Sequence, residues 1–398
     1  MSIEGDVSVV LEQTNGLVHT AHVASNRPFF ANTLLHHKSP QDAVDMIASI
    51  YSICGHAQAN ASIKAMEQAL NIEPSFAKVA ARAQMVNMET LREHVWRILL
   101  DWPLMIGKQA NKKTMTAMLI TVAEWKKVTD PQNLAFHLES EVGETNTHIA
   151  LGVLDSCEGL LQSSVYAMAP KQWLNIETMD DLFSWAKRGQ TDAAQLISML
   201  QSKGWLDLGQ TDVKHLPTIT KASIQTLLTS EQPEQFMQRP ELDGETFETT
   251  PLSRQLNHPL IQALQSRYGN GILTRLVAVL IEVADNYCVM RKQIVDGAQV
   301  VQTDENEGLD AVSDMQEGVG IVEAARGRLI HRVGIENGLV SLYQIVAPTE
   351  WNFHPRGALA LGLKGLKGDD SSLKEQAQLL VHGLDPCVKF TLQVVNHA

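Results

Sequence analysis

Two Asn-Gly pairs lie towards the two ends of this chain, each inside a stretch that is otherwise rich in β-prone residues. Asn15-Gly16 interrupts residues 7–23, and Asn337-Gly338 interrupts residues 329–346. Asn-Gly favours the positive φ angles of a tight turn between antiparallel strands. The sequence therefore predicts one β-hairpin at each of these places, and any fold of the chain must accommodate both.

The chain between the two predicted hairpins has helical periodicity. Apolar residues recur there at spacings of three and four, as they do along one face of a helix. Three such sets are Ala59, Ile63, Met66 and Leu70; Leu91, Val95, Ile98 and Trp102; and Leu273, Leu276, Leu280 and Val283. Pro103 is expected to end the second helix, and the proline-rich stretch 229–258 is expected to form an extended crossing segment.

These patterns predict a protein that is mainly α with small β-sheets, an α+β fold. We expect a single domain over residues 1–398. Its helical body should cover about 40–290, and a final helix should cover about 371–395.

Charge and composition exclude several classes of function. The net charge of −13 and the absence of a basic run argue against nucleic-acid binding, which needs clustered Lys and Arg. The most apolar stretch, 272–290, contains Arg275, Glu282 and Asp285, so we expect no membrane insertion. The N-terminus lacks the features of a signal peptide, and the four cysteines suit a reducing compartment. We therefore expect a cytoplasmic protein.

Several short strings occur along the chain in an order that is typical of one family. They are Ile3-Glu4-Gly5, Ile53-Cys54-Gly55, Pro251-Leu252-Ser253-Arg254, Glu323-Ala324-Ala325-Arg326-Gly327 with His331, Pro348-Thr349, Trp351-Asn352 and Asp385-Pro386-Cys387. In this order the chain resembles the large subunit of nickel–iron hydrogenases, shortened in the middle at about residues 105–245.

The resemblance implies a metal site from which half of the cysteines are missing. In active members, two CxxC pairs hold nickel and an iron that carries two cyanides and one carbon monoxide. Here only Cys54 remains at the front and only Cys387 at the end, where Phe390 occupies the second position. If Ile53-Cys54-Gly55 is matched directly to the family string, Cys54 is the first cysteine of its pair and Ala57 occupies the second position. If the helix that follows is matched instead, Cys54 is the second cysteine. Either register leaves one thiol.

Two thiolates cannot both bridge a two-metal centre and complete the coordination of nickel. We therefore expect no hydrogenase activity and no bound nickel. His56, beside Cys54, is a candidate third ligand.

Three further residues match functional positions of the family. Arg326 matches the arginine that lies over the active site, and Thr349 matches a hydroxyl residue that hydrogen-bonds cyanide. Guanidinium and hydroxyl donors are what the outward-pointing nitrogens of anionic cyanides require. Glu4 matches a glutamate that relays protons. The resemblance therefore implies a pocket for the iron fragment alone.

This combination resembles the HupK/HoxV type of hydrogenase accessory protein, a degenerate branch of the large-subunit superfamily. The resemblance implies a scaffold that transiently holds iron with its cyanide and carbonyl ligands, with maturation chaperones and the apo large subunit as partners. Two alternatives remain open. The chain could be an interaction module that mimics the large subunit without metal, or a quinone-pocket subunit of a respiratory complex, whose relatives generally lack the Asp-Pro-Cys ending.

Overall fold

The computed structural model of the protein describes residues 5–28, 30–296 and 315–397. The strands are β1 Val7–Thr14, β2 Leu17–Ser25, β3 Lys214–His215, β4 Phe247–Glu248, β5 Gln316–Ala324, β6 Gly327–Glu336, β7 Leu339–Val346 and β8 Phe390–Asn396. They form three small sheets, with the strand orders β2-β1-β8, β3-β4 and β5-β6-β7.

Helices make up most of the remaining described chain, as the apolar spacing predicted. They are α1 Ala31–Leu35, α2 Pro40–Ile50, α3 Gly55–Leu70, α4 Phe76–Trp96, α5 Trp102–Met105, α6 Lys112–Thr129, α7 Thr147–Leu161, α8 Pro170–Trp173, α9 Met179–Arg188, α10 Asp192–Lys203, α11 Lys221–Leu228, α12 Pro233–Gln238, α13 Pro251–Arg254, α14 Pro259–Tyr268, α15 Ile272–Asp296, α16 Pro348–Asn352, α17 Ala358–Leu363 and α18 Asp370–Leu384. None of the helices in the described ranges is long and apolar enough to cross a membrane.

The largest hydrophobic core surrounds α15. This helix is buried over most of its length and packs against α4, α7, α14 and α18. A second core lies between α3 and the sheet of β5, β6 and β7. The long apolar helix predicted from the periodicity is therefore the centre of the molecule.

Both predicted hairpins are present, and the second is part of a larger sheet. β1 and β2 pair in antiparallel fashion around the first Asn-Gly turn. β6 and β7 do the same around the second, and Asn15 and Asn337 both have the positive φ angle that such turns need. β5, which pairs with β6 on its other side, was not among the predicted strands.

The predicted final helix over 371–395 is wrong in its second half. α18 ends at Leu384, where Asp385 adopts a left-handed conformation with φ 47°. The following Pro386 has no N–H to donate and disfavours helix in the residue before it. Beyond it the chain forms β8, which alternates inward and outward side chains and pairs in parallel with β1. The two ends of the chain are therefore joined in one sheet.

Two smaller predictions also need correction. Pro103 does not end the helical run, because α4 continues through a π-helical turn at Arg97–Asp101 into α5, where Pro103 occupies the first turn. Pro103 has no N–H to donate to Leu99, and the carbonyl oxygen of Leu99 instead accepts from the N–H of Asn111 at 2.8 Å. The stretch 229–258 is not wholly extended, since it contains the short helices α12 and α13 and the strand β4.

The backbone of α3 lies directly against β5. A Cβ atom built on Gly320 would lie 2.0 Å from the carbonyl oxygen of Ala61, and one on Gly318 would lie 1.9 Å from that of Ala65. Both contacts are with backbone atoms, which cannot rotate away. Glycine in β5 therefore permits the close spacing between the sheet and the middle of α3, the helix that Cys54 precedes.

Replacing Gly320 by Ala should therefore destabilise the protein. Overpacking of this kind costs about 1–3 kcal/mol or more, so the denaturant midpoint should fall while the m-value stays the same. Gly152→Ala is the matched control, because Gly152 lies exposed in α7 with nothing within 4 Å of its added Cβ. That variant should be neutral or slightly more stable. Equal midpoints for the two variants would contradict the close approach of α3 and β5.

Candidate functional site

Cys54 and Cys387 come from opposite ends of the sequence and meet at one site. Cys54 immediately precedes the first residue of α3, and Cys387 lies in the short link between α18 and β8. Their sulfur atoms share a hydrogen bond. The pairing of β8 with β1 and the packing of α3 on β5 together bring the two thiols into contact.

The pKa values of the two thiols are shifted in opposite directions, so the proton between their sulfurs belongs mainly to one of them. Its hydrogen bond to Cys387, together with burial, raises the pKa of Cys54 well above the ordinary thiol value. The same hydrogen bond lowers the pKa of Cys387, and Arg326, Thr349 and Arg27 lower it further against the opposing effect of burial. At neutral pH we therefore assign Cys387 as a thiolate and Cys54 as the thiol that donates to it.

A small cavity adjoins both sulfurs. Its volume of about 10 Å³ is close to what a single water molecule requires. Its lining residues are Arg27, Cys54, Gln58, Ala324, Ala325, Arg326, Leu329, Ala347, Pro348 and Cys387. The walls thus combine two sulfurs and two guanidinium groups with an otherwise mostly apolar surface.

Arg326 lies in the tight turn between β5 and β6 and is 3% exposed. Its Nη2 donates to Glu93 at 2.9 Å, and its Nε lies 3.4 Å from a carboxylate oxygen of Asp385. Nη1 has no hydrogen-bond partner among the described residues. The side chain, which lines the cavity, is therefore held by two acids and keeps an unused buried donor.

The strings that carried the family resemblance converge on this turn. Arg254 donates to the carbonyl oxygen of Ala325 at 3.0 Å, and Asn352 donates to that of Arg326 at 3.0 Å. The φ angle of Gly327 is +128°, and a Cβ there would lie 1.9 Å from the carbonyl oxygen of Thr249. Arg254, Asn352 and Gly327 come from three separate strings, and all three contacts hold the turn that carries Arg326 in place.

Thr349 is close to Cys387 but does not line the cavity. Its hydroxyl donates to the sulfur of Cys387 at 3.4 Å, and the residue is 3% exposed. The structure thus places Thr349 with the predicted site residues, as a partner of the thiolate and not as a donor facing the cavity.

Arg27, which follows β2, was not among the predicted site residues. It lines the cavity, and its Nη2 is shielded from solvent with no hydrogen-bond partner in the described part of the chain. Its guanidinium lies 4.6 Å from the ring centroid of Tyr51. No local pattern marks Arg27 in the sequence, because its neighbours in the site come from distant parts of the chain.

A buried hydrogen-bond network of polar side chains leads away from Cys54. Gln58, one helical turn later in α3, has its Nε2 3.6 Å from the sulfur of Cys54. Its Oε1 lies 2.9 Å from Nε2 of His331, whose Nδ1 lies 2.8 Å from the hydroxyl of Tyr343. Burial and the charge of Arg27 lower the pKa of His331 to about 3, so the imidazole is neutral. This hydrogen-bond network fixes the orientation of Gln58 towards the sulfur of Cys54. The i, i+4 spacing of Gln58 from Cys54 was a sequence signal that could have identified it.

His56 does not line the cavity that the two cysteines line, so the structure does not bring this predicted third ligand to them. Its backbone N–H donates to Glu89 at 2.8 Å and its ring stacks on Phe136 in a separate, open pocket. The helical geometry of α3 points the side chain after Cys54 and Gly55 to a different side from the sulfur. Burial lowers the pKa of His56 to about 4. Glu4 lies outside the described residues.

Within the described ranges, no group of three or more His, Cys, Asp and Glu side chains has the geometry of a metal site. The side-chain atoms at the cavity that could ligate a metal are thus the two sulfurs.

Comparison with known proteins agrees with this geometry. Residues 252–390, which include Arg254, Arg326 and Cys387, match the family model of nickel-dependent hydrogenase. The hydrogenase expression/formation protein HoxV of Cupriavidus necator is 27% identical, covering 93% of this chain and 92% of its own. HupK of Azotobacter vinelandii, another hydrogenase expression/formation protein, is 22% identical, covering 98% and 99%.

The chain is similar to the large subunit of nickel-dependent hydrogenases in its C-terminal third and in its fold. Its fold matches the nickel–iron–selenium hydrogenase of D. vulgaris Hildenborough with a TM-score of 0.61, covering 94% of each chain at 17% identity. At that identity the match shows the fold alone. Over nearly its whole length the chain is similar to the HoxV and HupK proteins.

The unequal sharing of the thiol proton can be tested by following the ultraviolet absorbance of thiolate with pH in oxygen-free protein. Burial raises the pKa of Cys157 to about 12 and that of Cys288 to about 11, so the signal at neutral pH should come from Cys387. Cys54→Ala should raise the midpoint by about 1–2 pH units, because the thiolate loses a hydrogen bond. Cys387→Ala should abolish the signal. A wild-type protein without thiolate absorbance at neutral pH would contradict the assignment.

Proposed function

We propose that this protein is a non-catalytic scaffold in the maturation of nickel–iron hydrogenases. It would hold iron carrying two cyanides and one carbon monoxide before that fragment passes to the large subunit. The observation that carries the proposal is the meeting of Cys54 and Cys387 at a cavity lined by guanidinium groups. A maturation role is also supported by the names of HoxV and HupK, which are similar over nearly the whole chain.

The cysteine pair suits an iron fragment of this kind. Thiolates are the soft ligands that iron with strong-field diatomic ligands prefers. Cys387 is already a thiolate, so loading has to displace only the proton that Cys54 donates to it. In the loaded state both sulfurs would bind the iron, and the displaced proton would leave to solvent.

The donor set does not suit the two-metal centre of an active hydrogenase. Such a centre uses thiolates that bridge the ions together with others that complete the shell of nickel, and this site offers two sulfurs. In the part of the chain that the structure describes, no further His, Cys, Asp or Glu joins them as a ligand. We therefore propose that nickel is not held here and that the protein does not turn over hydrogen.

Arg326 is the donor best placed to bind a cyanide of the fragment. Its free Nη1 is buried beside the cavity, and its ion pairs with Glu93 and Asp385 hold the guanidinium in position. A charge-assisted hydrogen bond from a guanidinium to an anionic acceptor is about twice as strong as a neutral one. Thr349 contributes indirectly, because its hydroxyl stabilises the Cys387 thiolate.

The size of the cavity implies that the site opens for loading. About 10 Å³ accommodates a water molecule but not an iron with three diatomic ligands. The link that carries Cys387 is held by Arg97, whose Nε donates to Asp385 at 2.6 Å and whose Nη2 donates to the carbonyl oxygen of Pro386 at 3.0 Å. We propose that maturation chaperones and the apo large subunit are the partners, and that they act by displacing this link.

Infrared spectroscopy of protein purified without oxygen, from cells that contain the hydrogenase maturation proteins, tests the proposal. The wild-type protein should show two cyanide bands and one carbonyl band. Cys54→Ala and Cys387→Ala should each lose them together with the bound iron, because one sulfur cannot hold the fragment alone.

Cys288→Ala is the matched control, since Cys288 packs against the core around α15 and lies away from the cavity. This variant should keep all three bands. If wild-type protein shows none of the bands in any such background, the scaffold proposal is wrong.

The closed cavity favours a second candidate function. A site that admits about one water molecule would also suit a mimic of the large subunit that binds chaperones without metal. The double variant Cys54→Ala/Cys387→Ala separates the two functions in cells. Undiminished hydrogenase maturation with the double variant would favour the mimic, and its loss in a folded variant would favour the scaffold.

A further inference from the structure

We propose that Arg27 is the second group that binds the anionic ligands of the fragment, in the place that the family resemblance assigned to Thr349. The proposal rests on the scaffold function proposed above and deepens it. It assigns one cyanide to each of two guanidinium groups, Arg27 and Arg326, on the wall of the same cavity.

Arg27 has an unused buried donor on a side chain that lines the cavity. Its Nη2 is shielded from solvent, lies without a hydrogen-bond partner among the described residues, and belongs to a side chain that lines the cavity. A buried N–H without an acceptor costs free energy, and a ligand with an exposed nitrogen lone pair would recover it. The ring of Tyr51, 4.6 Å from the guanidinium carbon, holds the side chain in this position.

Thr349 cannot easily perform the same task. A threonine hydroxyl has one proton to donate, and that of Thr349 is directed at the sulfur of Cys387 at 3.4 Å. Thr349 is also absent from the lining of the cavity. To bind a cyanide, it would have to give up its contact with the thiolate.

The charges near the cavity also favour Arg27. Ferrous iron with two cyanides is neutral, and two thiolates make the bound unit a dianion. Arg27 and Arg326 each interact electrostatically with both sulfurs, so together they can balance that charge.

The positive charge of Arg326 is already offset by Glu93 and Asp385. The acid beside Arg27 is Glu350, and burial raises its pKa to about 7. Arg27 therefore contributes positive charge that its protein neighbours only partly offset.

The infrared spectrum distinguishes the two residues. Arg27→Gln should shift the cyanide bands more than the carbonyl band and lower iron retention about tenfold or more, because a charge-assisted hydrogen bond to a cyanide is lost. Thr349→Val acts through the sulfur, so it should shift all three bands in the same direction. Arg356→Gln is the matched control, since Arg356 pairs with Glu241 at the surface, and its spectrum should equal that of the wild type.

Several outcomes would overturn the assignment. If the wild type shows the three bands and folded Arg27→Gln shows the same spectrum and iron content, Arg27 does not bind the fragment, although the scaffold function stands. A cyanide-selective shift in Thr349→Val would return the role to Thr349. If Arg27→Gln does not fold, Arg27→Lys decides, because an ammonium keeps the charge but not the planar donor; unchanged cyanide bands would then reject the proposal. A wild type without bands rejects the scaffold function itself.

Discussion

The parallel pairing of β8 with β1 is the constraint on which the site depends. It runs from Val7 opposite Phe390 to Gln13 opposite Asn396, and it joins the two ends of the chain. Because Cys387 lies only three residues before this strand, the pairing fixes the position of its sulfur. Parallel strands require a crossover between them, and here the whole helical body serves as that crossover. The position of Cys387 therefore depends on contacts between residues that are almost the whole sequence apart.

Local patterns in the sequence predicted the elements better than their contacts. The hairpins at the Asn-Gly turns and the buried helix α15 followed from turn chemistry and apolar spacing, which act within a few residues. Local patterns did not predict that β8 takes the place of the end of the final helix. A strand of this kind is specified by its partner, here β1 at the other end of the sequence. β5 was missed for the same reason, since its glycines are explained only by the backbone of α3 against which they lie.

The site shows the same division. Cys54, Cys387 and Arg326 were identified from the order of short strings, and the structure brings them together. Nothing near Arg27 in the sequence marks it as a site residue, whereas Gln58 could be predicted from its spacing of four residues from Cys54 in the same helical run. His56 was chosen because it is adjacent to Cys54 in sequence, yet in a helix adjacent side chains point in different directions. Whether these residues bind a metal remains a prediction that the experiments above address.

The buried chain from Gln58 through His331 to Tyr343 has a consequence for metal selectivity. Zinc in structural protein sites takes four nitrogen or sulfur ligands in a tetrahedron, and imidazole is one of its preferred donors. His331 is connected to Cys54 through Gln58 in this hydrogen-bond network, but its two ring nitrogens already contact Gln58 and Tyr343. A stray zinc ion would find two sulfurs there and, among the described residues that line the cavity, no imidazole. If the site holds iron as proposed, it would favour a metal that brings most of its own ligands over one that needs a full set of protein ligands.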